Sequence, residues 1–453
     1  MEILVLGNGF DLAHKLPTQY RDFLHFVEVI KLVVEGITLE KINLEKINLK
    51  VKQMIQDDIQ NSNLPIDVWK DLVKENLWID YFTENEGYIK ENWIDFESEI
   101  SKVIQNLDFE LHGEGNKKKN IQDGVFQLSN DFLNKKYGEY TEHMQSIKDY
   151  LDNGKNNSEV ITYKKIRDDL WRDLQKLIRA LEVYLIEYVE KQDIQVKIPE
   201  IAGLTPDHIL SFNYTNTYRK LYDNNITLKE DMYDFIHGKT DRNHTVQNCN
   251  IVLGIDEYLP KERRDKEIEF ISFKKYYQRI YKETGSKYLN WVGEIKAKNK
   301  EYYQTIKKYQ KMLEHNDERM PEKMNINAVL QEVRKKRSKH HVYIFGHSLD
   351  ITDKDILKSL ICCDNVYTTI YYWNDDTHVI EAAELLECFQ WSDEEYDLQH
   401  VKEELADVMV YCQNLLDKLG LDADEIINMK MTQNEAKYPV DKAKGKSDKY
   451  DQL

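Results

Sequence analysis

At 453 residues the chain is long enough for two or three domains with a sizeable core. Its net charge of −18 argues against a protein whose main work is to grip duplex nucleic acid, and 32% charged with 41% hydrophobic residues argues against a disordered chain. Five cysteines, with Cys362 and Cys363 adjacent and no C-x-x-C pair, argue against a disulfide framework or a thiolate zinc site. A reducing, cytoplasmic setting fits. No apolar run of about 18 residues marks a transmembrane helix, and the start of the chain does not read as a signal peptide.

The chain opens on Ile3-Leu4-Val5-Leu6, which reads as a buried parallel strand. Gly7, Asn8 and Gly9 follow, and the two glycines predict a tight turn with positive φ. Asp11 is the expected N-cap of a helix starting near Leu12. Strand, glycine turn and helix open many nucleotide-binding α/β units. Leu12 replaces the third glycine of the dinucleotide fingerprint, and Asp11 is acidic where a pyrophosphate would sit.

Pro17 should interrupt the first helix, with Thr18 capping the next. Positions 24–200 then read as mostly helical. Within them Glu40-Lys41-Ile42-Asn43-Leu44 is repeated as Glu45-Lys46-Ile47-Asn48-Leu49, expected to be a slippage insertion in an exposed helix or loop. Trp93 to Glu99 reads as an amphipathic helix with an aromatic core face and solvated acids. Strand text returns at His208–Phe212, Tyr233–Ile236 and Asn250–Leu253. Positions 260–338 are helical again, with a dense Lys, Tyr and Arg patch from Phe273 to Lys282. Two further strands are expected, His341 to Phe345 and Val366 to Trp373.

Each short apolar run ends in polar residues or glycine. In an open parallel sheet the carboxyl ends of the strands form the ligand crevice. Gly7 to Asp11, Asn213, His237, Asp256 and Gly346 to Ser348 are therefore expected on one rim. A His there can act as a general base near neutral pH, and an Asn can hold a water or ribose hydroxyl without adding charge. His237 and Asn213 are the candidate catalytic pair.

Ile3 to Tyr20, Trp93 to Glu97, Ser211 to Asn216, His237-Gly238 and Phe345 to Asp350 together resemble the AbiH family of phage abortive-infection proteins, over roughly Met1 to Trp373. More distantly the order is similar to the sirtuin-like fold, with a glycine loop, an Asn after a strand, a His-Gly and a late Gly-x-Ser-Leu. The resemblance implies a Rossmann-type parallel sheet with large helical insertions at 24–200 and 260–338. It implies an NAD or other nucleotide site at Gly7, Asn8, Gly9, Asp11, Gly346 and Ser348, with NAD as a possible substrate. Asn8 departs from the small Ala usual in the sirtuin loop.

From Glu381 the text changes. Glu381 with Glu384, and Glu404 with Asp407, are carboxylate pairs at i and i+3, each on one helix face. Packed antiparallel, the two helices would converge four carboxylates that a hard divalent cation relieves, and Mg²⁺ prefers oxygen ligands completed by phosphate. The stretch resembles MazG-like all-α NTP pyrophosphohydrolases, especially the dCTP pyrophosphatase type. The resemblance implies Glu381, Glu384, Glu404 and Asp407 as Mg²⁺ ligands, Trp391 near the base, and Lys430, Asn434, Lys437 and Tyr438 near the phosphates. It implies water attack on the α–β phosphoanhydride. Tyr371 to Asp376 stands where that family has its first helix, so the module looks truncated at its N-terminus.

The expected organisation is an α/β domain at 1–376 followed by an all-α domain at 377–453. The expected function is phage defence with a nucleotide hydrolase site in one or both domains. Its expected associations are a homo-oligomer, NAD or an NTP as ligand, and a phage-encoded trigger, with no membrane partner. The rival reading is non-enzymatic: a nucleotide-sensing or oligomerisation module behind a front domain that binds a phage component.

Overall fold

The computed structural model describes residues 1–84, 96–112, 125–127, 131–137, 139–141, 163–194, 197–223, 227–264, 266–314, 326–349 and 353–371, with positions 409, 422 and 427. The chain divides into two compact units, Met1–Val342 with His347–Tyr367, and Tyr343–Gly346 with Thr368–Leu453. In the second unit the described residues are chiefly the ends of two strands, where the Phe345 and Tyr371 rings lie 5.7 Å apart.

The fold is α/β. Strand β1 (Glu2–Leu6) buries all four of its apolar residues, as a strand covered on both faces must. Strands β2 (Val125–Gln127) and β3 (Glu139–Thr141) form a separate antiparallel pair. Strands β4 (His208–Ser211), β5 (Tyr233–Phe235), β6 (His340–Phe345) and β7 (Val366–Tyr371) join β1 in a sheet of order β5-β4-β1-β6-β7. The β1–β4 ladder is parallel and pairs Ile3 with His208 through Leu6 with Ser211; β4 and β5 are parallel as well. Counted within the sheet this is the order 3-2-1-4-5. The direction of strand succession reverses at β1, where such sheets open a crevice at their carboxyl ends.

Between β1 and β4 the chain leaves the sheet and builds its own core. Helices Tyr20–Val34, Leu49–Gln60, Ile66–Val73, Leu77–Glu84, Phe96–His112 and Tyr163–Tyr184 pack their apolar faces together. Phe26 lies 5.2 Å from Trp69, 4.9 Å from Tyr184 and 4.6 Å from Tyr188, all fully buried. Phe96 stacks on Phe82 at 4.2 Å and on Tyr20 at 4.3 Å. Truncating a ring such as Phe26 to Ala would cost about 3–5 kcal/mol.

Several expectations are corrected. The first helix is Asn8–Ala13, starting four residues before Leu12, with Gly7 at its N-cap in extended backbone at φ −109°. Neither Gly7 nor Gly9 has positive φ, so that turn needs no left-handed residue. Asp11 lies inside this helix, so it caps nothing. The second helix is capped by Gln19, in a reciprocal box with Asp22, rather than by Thr18. Asn250–Leu253 forms no strand, because its backbone groups are spent elsewhere. Val252 donates to the His237 carbonyl at 2.8 Å, its carbonyl accepts from the Tyr214 hydroxyl at 3.1 Å, and Leu253 is held at both backbone groups by the Gln278 amide. The β2–β3 pair interrupts the stretch expected to be helical. The duplicated segment is not simply exposed: Ile42, Leu44 and Ile47 are buried, while Leu49, the second copy of Leu44, is 81% exposed.

Candidate functional site at the carboxyl edge of the sheet

Two groups of buried polar side chains stand at the ends of the central strands. The first joins the segments after β1 and β4. Asp11 is 1% exposed, and its Oδ2 accepts a hydrogen bond from Thr215 Oγ1 at 2.6 Å. Thr217 Oγ1 donates to Thr215 Oγ1 at 3.0 Å. Asp11 Oδ1 is buried with no hydrogen-bond partner among the described residues. Burial pushes the Asp11 carboxyl up to about 6; the threonine hydroxyls oppose this and the Glu190 charge adds to it. A small cavity here is lined by Asp11, Ser211, Asn213 and Thr215. Asn213 is buried, and its backbone N–H and carbonyl both engage the Ser211 hydroxyl at 3.1 Å, which fixes the sharp exit from β4.

The second group joins the segments after β5 and β6. His237 follows β5. Its turn is made by Gly238, whose φ of +80° and closeness to Asn250 exclude a side chain: a Cβ there would lie 2.2 Å from the Asn250 carbonyl oxygen. His237 Nε2 lies 3.4 Å from Asp353 Oδ1, and His347 Nε2 lies 3.6 Å from Asp353 Oδ2. The Phe212 ring meets both imidazoles edge to face, with centroids 5.6 Å from His237 and 4.3 Å from His347.

Protonation follows from the partners. His347 Nδ1 accepts from the Leu349 backbone N–H at 2.8 Å, so its neutral tautomer carries the proton on Nε2, facing Asp353. His237 Nε2 faces Asp353 Oδ1, although neither that oxygen nor His237 Nδ1, both buried, has a hydrogen-bond partner among the described residues. Burial pushes the His237 imidazole down and outweighs the Asp353 charge, so it is neutral at pH 7. Burial alone would raise the Asp353 carboxyl, but the two imidazoles and the Lys275 charge hold it far below the ordinary carboxylate range. Lys275, itself buried, is anchored on Glu97 at 2.5 Å. A neutral imidazole oriented by an ionised carboxylate, with a free buried nitrogen, is equipped to take a proton from a bound hydroxyl or water.

Sequence reasoning named Asn213 and His237 as a pair. The structure puts Asn213 in the Asp11 group and His237 in the Asp353 group. Asn8 is exposed, its Oδ1 accepting from Thr18 Oγ1 at 2.7 Å. Ser348 and Asp256 are exposed. Gly346, in the second unit, has φ +67°. Glu97 is not the solvated acid expected, because it is the counter-ion of a buried lysine; Glu99 is buried and accepts from Tyr81 Oη at 3.1 Å. Asp353 and Lys275 were missed. Asp353 sits where a helix N-cap is expected, before Lys354–Ile361, yet its side chain makes no capping bond. Lys275 lies in the dense Lys, Tyr and Arg patch of Phe273 to Lys282, where nothing local marks one lysine as buried. Glu381, Glu384, Trp391, Glu404, Asp407, Lys430, Asn434, Lys437 and Tyr438 all lie outside the described residues.

The fold and rim define an α/β protein with a buried acid–base group at the sheet's carboxyl edge. The family model described as bacteriophage abortive infection AbiH matches residues 3–373, and the chain belongs to that family. A MazG-like family model matches residues 377–453. No curated protein and no solved structure matches the chain. No helix of the described residues is long and apolar enough to cross a membrane.

Proposed function

We propose that this phage abortive-infection protein hydrolyses a nucleotide at the rim, with NAD the first substrate to try. The observation that carries the reading is the His237–Asp353–His347 group, which leaves one imidazole nitrogen unpaired at the end of β5. His237 would take the proton of a water that attacks C1′ of the ribose while the C1′–N bond breaks and the base leaves. Asp353 would hold the ring and stabilise the imidazolium formed. Asn213 and Asp11, at the β1–β4 end, would bind the ribose side of the ligand. The six-residue first helix and the buried Asp11 suit hydroxyl groups better than a diphosphate, so any phosphates would lie away from Gly7 and Gly9. The sirtuin-like likeness of the motifs supports the same reading.

A second activity is supported by the MazG-like match at residues 377–453. There Glu381, Glu384, Glu404 and Asp407 would hold Mg²⁺, which orients water and screens phosphate charge in such chemistry. Incubating the full chain with NAD and a panel of NTPs, with and without Mg²⁺, separates the two. Nicotinamide release without added Mg²⁺, lost in His237→Ala, is the result expected of the front site. Pyrophosphate release that needs Mg²⁺ and is lost in Glu404→Gln is expected of the back one. Nucleotide binding with no product in either case would make the protein a sensor.

A further inference from the structure

A third polar cluster lies away from the rim, where the chain after β5 folds back over the long helix Tyr163–Tyr184. Glu182 is fully buried near the end of that helix. The segment 240–249, which has no regular secondary structure, returns two side chains to it: His244, whose Nδ1 is 2.5 Å from Glu182 Oε1, and the buried Cys249. One ligand atom from each of the three, an oxygen, a nitrogen and a sulfur, lies within 4.8 Å of the other two.

We propose that Glu182, His244 and Cys249 form a binding site for a borderline divalent cation, Zn²⁺ by its chemistry, that clamps segment 240–249 onto the long helix. The donor set decides the class of ion. Thiolate, imidazole and carboxylate are the three ligand types of zinc, whereas Mg²⁺ and Ca²⁺ take oxygen alone. Three protein ligands leave a fourth position, and the partly exposed edge of His244 gives an ion a way in.

The surroundings already orient the ligands. Arg179 pairs with Glu182 Oε2, which leaves Oε1 to a cation as a single-oxygen ligand. The Asp241 backbone N–H donates to Oε1 at 3.0 Å and holds the carboxylate in place. Without a cation the Cys249 thiol stays protonated: burial pushes it up to about 12, and the Glu182 charge adds to this. Binding would release the thiol proton and move the imidazole proton from Nδ1 to Nε2, freeing the Nδ1 lone pair for the ion. Lys282 sits beside the cluster, and its Nζ donates to the Ile251 carbonyl at 2.5 Å.

The test uses the full chain, stripped of metal and titrated with Co²⁺ and then Zn²⁺. One equivalent of Co²⁺ should give a sulfur-to-cobalt charge-transfer band in the near ultraviolet, displaced by Zn²⁺, and Zn²⁺ should raise Tm. Cys249→Ser should abolish the band, and His244→Gln should weaken Zn²⁺ binding more than about 100-fold, beyond what loss of a supporting residue produces. Circular dichroism of each variant checks folding. The proposal is overturned if the wild type shows neither band nor Zn²⁺-dependent stabilisation. It is equally overturned if the band persists in Cys249→Ser, which would assign it to another cysteine. If Glu182→Gln lowers Tm equally with and without Zn²⁺, the cluster is a hydrogen-bond network only.

Discussion

Two buried carboxylates stand at the same edge of one sheet and are shifted in opposite directions, Asp11 upward and Asp353 downward. Asp11 has two hydroxyls and no cation near it, and burial leaves its carboxyl half-protonated near pH 6. Asp353 is buried almost as deeply, yet two imidazoles and the Lys275 ammonium keep it ionised. Burial is common to both, so the partners decide. A site that needs one group to lend a proton and another to orient a base can get both from aspartate, by placing an ammonium and two imidazoles beside only one of them.

The comparison breaks most visibly if the Asp353 side is dismantled. Asp353→Asn and His237→Ala should each lower turnover by about 10²–10⁴-fold, the usual worth of a general base. Phage protection and nicotinamide release, measured together, check this. Full protection with either variant would remove the acid–base reading of the rim.

Next in size is the turn that aims His237. Gly238→Ala puts a side chain into left-handed backbone, at about 1–2 kcal/mol, before its contact with the Asn250 carbonyl is counted. Urea unfolding should show the loss in stability, and activity should fall with it.

The Asp11 side is tested by Asp11→Asn. The folded-state value is raised, so between about pH 4 and 6 the native protein binds more protons than the unfolded chain. The contribution of Asp11 therefore worsens as pH rises through that window. The asparagine variant should match the wild type near pH 4 and exceed it by up to about 3 kcal/mol above pH 7, while losing activity. Equal stability at all pH values would mean that Asp11 is solvated in solution. The smallest effect is expected for His347→Gln, which removes one of several partners of Asp353. It should cost about 1 kcal/mol, roughly fivefold in rate.

What could be read from sequence was whatever announces itself locally. Ile3 to Leu6 is four apolar residues followed by glycine, and it is the central strand. His208, Tyr233, His341 and Val366 each begin or fall within a real strand for the same reason. Asn250–Leu253 has the same apolar look but meets Gln278 and Tyr214 instead of a neighbouring strand, and no local pattern reports that. Convergence on a rim was readable because strand ends share one edge by topology. Asp353 was not, because an acid before a helix looks like a cap wherever its side chain points. Lys275 was not, because its burial depends on Glu97, far away in the chain.

The β1–β4 ladder has a consequence for how the protein is made. The Glu2 backbone N–H donates to Asp207 Oδ2 across 205 positions of chain. At the usual synthesis rate of about 5–20 residues per second, β1 waits roughly 10–40 s for its neighbour to leave the ribosome. During that time it is a strand of four apolar residues with both edges open, the kind of segment that pairs with other chains. The helices between β1 and β4 close on one another across long stretches of chain, Phe26 on Tyr184 and Trp78 on Leu170, so their core is complete only once helix Tyr163–Tyr184 has emerged, and it draws the two strand ends together as it closes. Lesions in that helical core, such as Phe26→Ala, should therefore show themselves as aggregation during synthesis, well before they show as instability of the finished protein.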